Sequence, residues 1–345
     1  MLYVSTRNTT DSYTAHRTLQ EDCAPDGGKF VPFHLPQLTP EELDGLKEKT
    51  FSQAVAQILN LFFSKHLNSW DVEFCIGRYP FKLEVLGQRI AVAQLWHNPE
   101  ARFSYATQGL YQKLCEKKGV TNLPSPWVRI AVEIAVLIGL FGELFRQGIE
   151  SADIAVPTDD FLCPIAVWYA RRMGLPIHCI ICGCNENSGI WDFIHRGELA
   201  TGISRYRAHC LESDISQSDG LEYLIHGALG TTEVTRYLDV CADCGSYILT
   251  EEALNILNQG LFATVIGTDR IDAVISSVYR TNGFVLDPHT AASYGALQDY
   301  RARTGENRYT LLLAQCSPLF ASEKIASAIG CSQDKLRAMI HLSKE

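Results

Sequence analysis

The sequence has no excess of positive charge: 30 Lys and Arg face 39 Asp and Glu, a formal net charge of -9 at pH 7. Nothing therefore draws the chain to phosphate backbones or anionic membranes, and neither nucleic acid nor membrane is expected as a partner. A long uncharged apolar run is also missing. The longest candidate, "IAVEIAVLIGLFGELF", carries Glu133 and Glu143. It falls short of the roughly 20 apolar residues of a bilayer span and reads as a buried helix. No basic segment followed by an apolar stretch opens the chain, so secretion is not expected and a cytoplasmic location is. Internal repeats and low-complexity linkers are absent.

What is present is material for a large core. Of 345 residues 46% are hydrophobic, so disorder is excluded and one large α/β unit or two modest domains are expected. Residues 1–80 read as an N-terminal segment and helical cap. "MLYVSTRN" and "APDGGKFVP" give a short strand, a loop and a turn at Gly27 and Gly28. Thr39 to Leu67 is helical, opened by "TPEEL" with a Thr N-cap, Pro at the first helical position and acids in the first turn.

Residues 81–345 read as an α/β core domain. "RIAVAQLWH" is a strand, and "FSYATQGLYQKLCEKKG" and "SPWVRIAVEIAVLIGLFGELFRQG" are helices. "ADIAVPTDDFLCPIAVWYARRMGLPIHCIICG" reads as strand, loop, helix stopped at Gly174 and second strand. That is one complete βαβ unit, which predicts a parallel sheet with a right-handed crossover. "GFVLDPHTAASYGALQDYRART" is read as a strand-to-helix junction, "RYTLLLAQCSPLF" as a last buried strand, and "SEKIASAIG" and "SQDKLRAMIHL" as closing helices. Residues 200–280 phase only as mixed helix and loop.

Twelve cysteines include "CIICGC" (Cys179, Cys182, Cys184) and "CADCG" (Cys241, Cys244). Two such pairs are the raw material of a tetrahedral thiolate zinc site. The first lies in an apolar strand-like run, where neighbouring side chains face opposite ways, so these thiols read as buried and reduced. No metal is assigned, and zinc stays the alternative.

Taken in order, "YVSTRN", "PDGGKFVP", "LWHNP", "GLPIHCIICGCNEN", "FIHRGEL", "DPHTAASY" and "SPLF" resemble threonine synthase, a pyridoxal-phosphate (PLP) enzyme of the tryptophan-synthase-β-like fold type II. The resemblance implies an α/β large domain, a parallel open sheet with helices on both faces. In the family, a strand ending Leu-Phe-His-Gly-Pro is followed by a Phe-Lys-Asp turn whose lysine holds PLP as an imine. Aligning "LWHNPEARFSY" on it puts Phe103, Ser104 and Tyr105 on those three residues. Serine has no amine to tether the cofactor or to shuttle its protons. Lys82, Lys113, Lys117 and Lys118 are the nearest lysines, each on another strand or a later helical turn.

The family's Ser-Gly-Asn-Phe-Gly phosphate loop falls on "TDDFL", Thr158 to Leu162. Both glycines that let the backbone approach are gone, and two carboxylates face a ligand of about -1.5 to -2 charges. Asp159 and Asp160 read as occupying that anion site at a helix N-terminus, with a new metal site as the alternative. The threonine that contacts the pyridine nitrogen falls on Gln315, while Ser317 and Pro318 stay. The family's small subdomain, with its Ser-Gly-Asp-Thr-Gly carboxylate loop, is reduced to "KKGVTNLP", and with it goes the closure that excludes water.

These departures imply a catalytically inactive threonine-synthase-like protein, a pseudoenzyme with no catalytic residue and no bound PLP, acting through a small-molecule or protein partner. Its candidate remnant pocket comprises Ser104, His97, Thr158, Asp159, Asp160, Asn185, Asn187, Gln315 and Ser317. Asn185, Glu186 and Asn187 follow a strand's carboxyl end, where open parallel sheets bind ligands. His97 and His289 read as structural histidines, with a general base as the alternative. Apolar surface left by the missing subdomain is expected to be covered by a homodimer or a partner protein. Two rival readings stay open: PLP chemistry through another lysine, and metal-assisted hydrolysis using Asp159 and Asp160. Turnover of phosphohomoserine would overturn the inactive reading.

Overall fold

The computed structural model describes residues 1–64, 67–76, 82–96, 103–118, 125–158, 161–186, 189–200 and 219–342. The chain opens with an antiparallel sheet of order β2-β1-β3, built from β1 (Leu2–Ser5), β2 (Tyr13–Thr14) and β3 (Phe30–Pro32), with α1 (Ala15–Gln20) between the last two. The "STRN" and "PDGG" stretches lock together here. Asp26 Oδ1 accepts from Ser5 Oγ at 2.8 Å and from Gly28 N at 2.9 Å. A Cβ at position 28 would sit 2.0 Å from Ser5 Oγ, which is why the turn carries glycine. Capping boxes at Thr39/Glu42 and Thr50/Gln53 open α2 (Pro40–Asp44) and α3 (Phe51–Phe63). Val55, Ile58, Leu59 and Phe62 recur at helical spacing and bury one face of α3. The short α4 (Ser69–Ile76) follows.

β4 (Lys82–Gly87) and β5 (Ile90–Gln94) then form an antiparallel hairpin, turned at Gln88 and at Arg89, whose φ is +65°. α5 (Phe103–Lys118) and α6 (Pro126–Arg146) lead to the βαβ unit read from the sequence: β6 (Ala152–Pro157), α7 (Leu162–Arg172) and β7 (Ile177–Cys184). α6 is apolar on almost every side, and its buried Glu133 is matched one turn back by Arg129, Nε to Oε1 2.9 Å. That pairing is what lets a carboxylate sit in a core helix.

The remaining elements are α8 (Gly189–Arg196), β8 (Glu198–Ala200), α9 (Asp219–Leu229), α10 (Thr231–Cys244), β9 (Ser246–Ile248), α11 (Glu251–Leu257), β10 (Leu261–Val265), α12 (Thr268–Asn282), α13 (Pro288–Thr304), β11 (Thr310–Ala314), α14 (Ser322–Ile329) and α15 (Gln333–Leu342). The main sheet has six strands in the order β10-β7-β6-β11-β5-β4. Pairs from β10 to β5 are parallel, but β4 runs antiparallel, so the sheet is mixed where an all-parallel one was expected. The turn at Arg89 reverses the chain before any crossover helix intervenes.

The 284–287 stretch is another departure, being an irregular lead into α13 instead of a strand. Asp287 caps that helix, its Oδ1 accepting from His289 N at 3.0 Å and Thr290 N at 3.2 Å, with Pro288 at the first helical position. Within 200–280 the structure adds the edge strand β10 and the β8–β9 pair.

Helices cover both faces of the sheet. α3, α6, α7 and α9 share one hydrophobic cluster with the N-terminal residues Tyr3, Phe30 and Phe62, while α12 to α15 share the other. Gly183 of β7 lies directly beneath α13, where a Cβ would come within 2.5 Å of Ser293 N. The chain leaves β5 and β6 toward the first face and β11 toward the second. Such a reversal opens a crevice at the carboxyl ends of β5, β11 and β6, the place where open α/β sheets bind ligands.

Candidate functional site at the carboxyl ends of the strands

Several candidate residues from the sequence follow strands at that end of the sheet. Thr158 follows β6, Asn185 follows β7, Gln315 and Ser317 follow β11, and Ser104 stands in the first turn of α5. Thr158 Oγ1 is buried and donates to the Gly183 carbonyl at 3.0 Å, stitching the ends of β6 and β7 together. Asn185 is buried. Ser317 Oγ accepts from Leu319 N at 3.2 Å and starts the short 3-10 turn Pro318–Ala321, a structural use that leaves less of it for a ligand. His97, Asp159, Asp160 and Asn187 lie outside the described residues, as does the side chain of Ser104.

Gln315 is the most informative of the set. Strand alternation carries it to the same face as Leu311 and Leu313, under α6 and α7. There it lines a cavity of about 10 Å³, shared with Leu95, Glu133 and Cys163, which is room for about one water. Gln315 is only 6% exposed, and its Nε2 is buried with no hydrogen-bond partner. The cavity beneath Gln315 lies among core residues under α6 and α7, and α7 opens on Phe161 and Leu162 without a side-chain cap.

The polar groups described at the strand ends are hydroxyls and amides. They can hold a polar ligand but offer no nucleophile activated by a base. Among the described residues no group of three or more His, Cys, Asp or Glu could hold a metal ion. The "CIIC" cysteines diverge, Cys179 lying in the α12–α15 cluster and Cys182 and Cys184 in the opposite one. Burial, helped by the Asp153 charge, pushes the Cys179 thiol up to about 12, so it stays protonated and inert. Cys241 is raised by burial as well, while Cys244 at the end of α10 is exposed.

Two polar arrangements escaped the sequence reading. Arg7 grips Glu222 of α9 with Nε at 3.2 Å and Nη2 at 3.1 Å, Thr6 Oγ1 donates to the same carboxylate, and Lys29 N donates to Thr6 Oγ1 at 2.8 Å. At the start of β6, buried Asp153 accepts from Cys179 N at 3.1 Å and meets His178 Nδ1 at 3.1 Å. Burial first of all lifts the Asp153 carboxyl, against the lowering effect of His178. Only a polar residue inside an apolar run, "ADIAV", hinted at the latter.

A mixed α/β sheet with helices on both faces, and a polar crevice at its switch point, is the large-domain architecture of fold type II PLP enzymes. The PLP-bound threonine synthase of Brucella melitensis superposes with a TM-score of 0.84 over 99% of this chain and 94% of its own, at 18% identity. Residues 2–79 match the family model "Threonine synthase N terminus". The threonine synthase of Schizosaccharomyces pombe is 19% identical over 418 residues, covering 84% of this chain and 81% of its own. The chain thus has the fold of threonine synthase and is similar to it in sequence. It is 30% identical over 179 residues to "Threonine synthase-like 1" of Pongo abelii, covering 48% of this chain but only 23% of that protein, so it spans about a quarter of the length of that relative. Against the S. pombe enzyme, 84% of 345 residues is about 290, so about 130 of the 418 aligned positions face no residue of this chain.

Proposed function

We propose that the chain is a threonine-synthase-like protein without the family's catalysis, acting by binding a small polar molecule or a protein partner at the old crevice and its surroundings. The observation that carries this reading is Ser104 in the first turn of α5, after β5, where the family's tethering lysine stands in the alignment of "LWHNPEARFSY". A hydroxyl forms no imine with an aldehyde cofactor. Lys113 is no substitute: nine residues further along α5 is about 13 Å of helix rise, and its ammonium sits over the Phe74 ring beside Glu116. The roughly 130 unmatched positions support the same conclusion. We read them as the lost subdomain, since only residues 119–125 separate α5 from α6 in the sequence. Among the described residues no helix is long and apolar enough to cross a membrane, and the chain is proposed to work in the cytoplasm, with a second copy or another protein on its uncovered apolar surface.

The test is turnover of phosphohomoserine by the purified chain with added PLP. None above the blank is expected, and sustained release of phosphate would overturn the reading. One observation favours a second reading: the register of the hairpin sets Lys82 opposite Gln94, at the carboxyl end of β5. A cofactor held there would keep the chain catalytic, and Lys82→Met would then abolish an activity that the first reading says is absent.

A further inference from the structure

Trp70 and Phe74 are the two most exposed large apolar side chains described, at 78% and 84%. They lie one turn apart on α4 and so share one face of it. Exposed apolar residues elsewhere, such as Val85 or Phe320, stand singly on different elements, which is ordinary for a protein surface. A tryptophan and a phenylalanine side by side in water are not. Around them the rim is charged with both signs: Lys113 Nζ lies 5.4 Å over the Phe74 ring and 3.4 Å from Glu116, and Glu73 precedes Phe74 on α4.

From this geometry we infer that the Trp70/Phe74 face of α4 joins two copies of the chain in an isologous dimer. The inference deepens the partner half of the proposed function, and it is independent of the cofactor half. A two-fold axis through the patch runs the two α4 helices antiparallel, so that Trp70 of each copy meets Phe74 of the other. The mixed rim suits that arrangement, because each Lys113 can face the other copy's carboxylates, whereas a rim of one sign would repel itself. Fully formed aromatic contacts cover about 150–250 Å² each. The two side chains would then supply about 350 Å² per copy, close to half of the roughly 800 Å² per partner in a standard interface. A membrane is a poorer occupant for a chain of net charge -9.

The experiment is sedimentation velocity of the full chain at micromolar concentration, with Trp70→Ser, Phe74→Ser, the double variant, and Val85→Ser as a surface control. The wild type and Val85→Ser are expected to sediment as dimers. Each single aromatic substitution should weaken association by about thirtyfold or more, as interface hot spots do, and the double variant should be monomeric with an unchanged circular dichroism spectrum. A monomeric wild type, a double variant that still dimerises, or a Val85→Ser chain that falls apart would each overturn the proposal. None of these outcomes bears on turnover or cofactor binding, so the two readings fail separately.

Discussion

Replacing Gln315 by leucine should stabilise the protein, an unusual outcome for a change in a buried core. Gln315 Nε2 is buried without a partner, in a cavity whose other walls include Leu95, Val136, Leu137, Leu140 and Leu313. An unmade buried hydrogen bond costs about 1–3 kcal/mol, and replacement by an apolar side chain of similar shape removes that cost. Added burial of methyl groups contributes about 1 kcal/mol more, part of which is offset by imperfect fit. A net gain of about 1–2 kcal/mol is expected, read as a higher urea midpoint at unchanged slope. Gln315→Glu is the companion: a second carboxylate beside Glu133 should lower the stability by several kcal/mol, read as a lower urea midpoint. If Gln315→Leu instead loses more than about 1 kcal/mol, the amide is hydrogen-bonded in the native protein, and the reading of an unpaired buried amide fails.

Other consequences are equally direct. Gly183→Ala should cost at least about 2 kcal/mol, since its Cβ would press on Ser293 N at 2.5 Å and Ala292 C at 2.6 Å, both backbone atoms; a midpoint within experimental error of wild type would refute the close approach of β7 and α13. Arg7→Met strands the carboxylate of Glu222, 8% exposed, and should cost about 2–3 kcal/mol, with Glu222→Gln recovering part of it in a double-mutant cycle; additive effects would remove the clamp from the account. The hydrogen bond from Arg270, joined by its charge and Thr264, holds Asp299 below the usual carboxylate range. Its contribution is therefore complete above the unfolded value of about 4 and is lost as pH falls through the lower folded value. Asp299→Asn should accordingly destabilise at pH 7 and progressively less as the pH falls below about 4 in thermal melts; a loss independent of pH across the acid range would contradict this.

What the sequence made legible was local. The N-cap at Thr39, the βαβ unit and the core helix around Glu133 all follow from spacing within a few residues, whereas the second capping box at Thr50 and the Arg129 that neutralises Glu133 came only with the structure. β4 was missed because "KLEVLG" is short and its partner lies across a turn at Arg89, a residue type with no left-handed preference to advertise it. The lead into α13 was taken for a strand because "FVL" is apolar and β-prone, although Asp287–Pro288 already signals a cap. Thr158, Asn185, Gln315 and Ser317 follow the ends of β6, β7 and β11. What each does there depended on partners far along the chain: Gly183 for Thr158, and the underside of α6 for Gln315. The Arg7–Glu222 clamp, joining the first and second halves of the sequence, had no local signal at all.

The central claim is that no amine of this chain tethers an aldehyde cofactor. Incubation of the purified protein with PLP, reduction by borohydride and measurement of the intact mass tests it most directly. An unmodified mass, after correction for the labelling that PLP gives any surface lysine on a control protein, is the expected result. One stoichiometric pyridoxyl adduct, mapped to Lys82 or any other single lysine, would contradict the account.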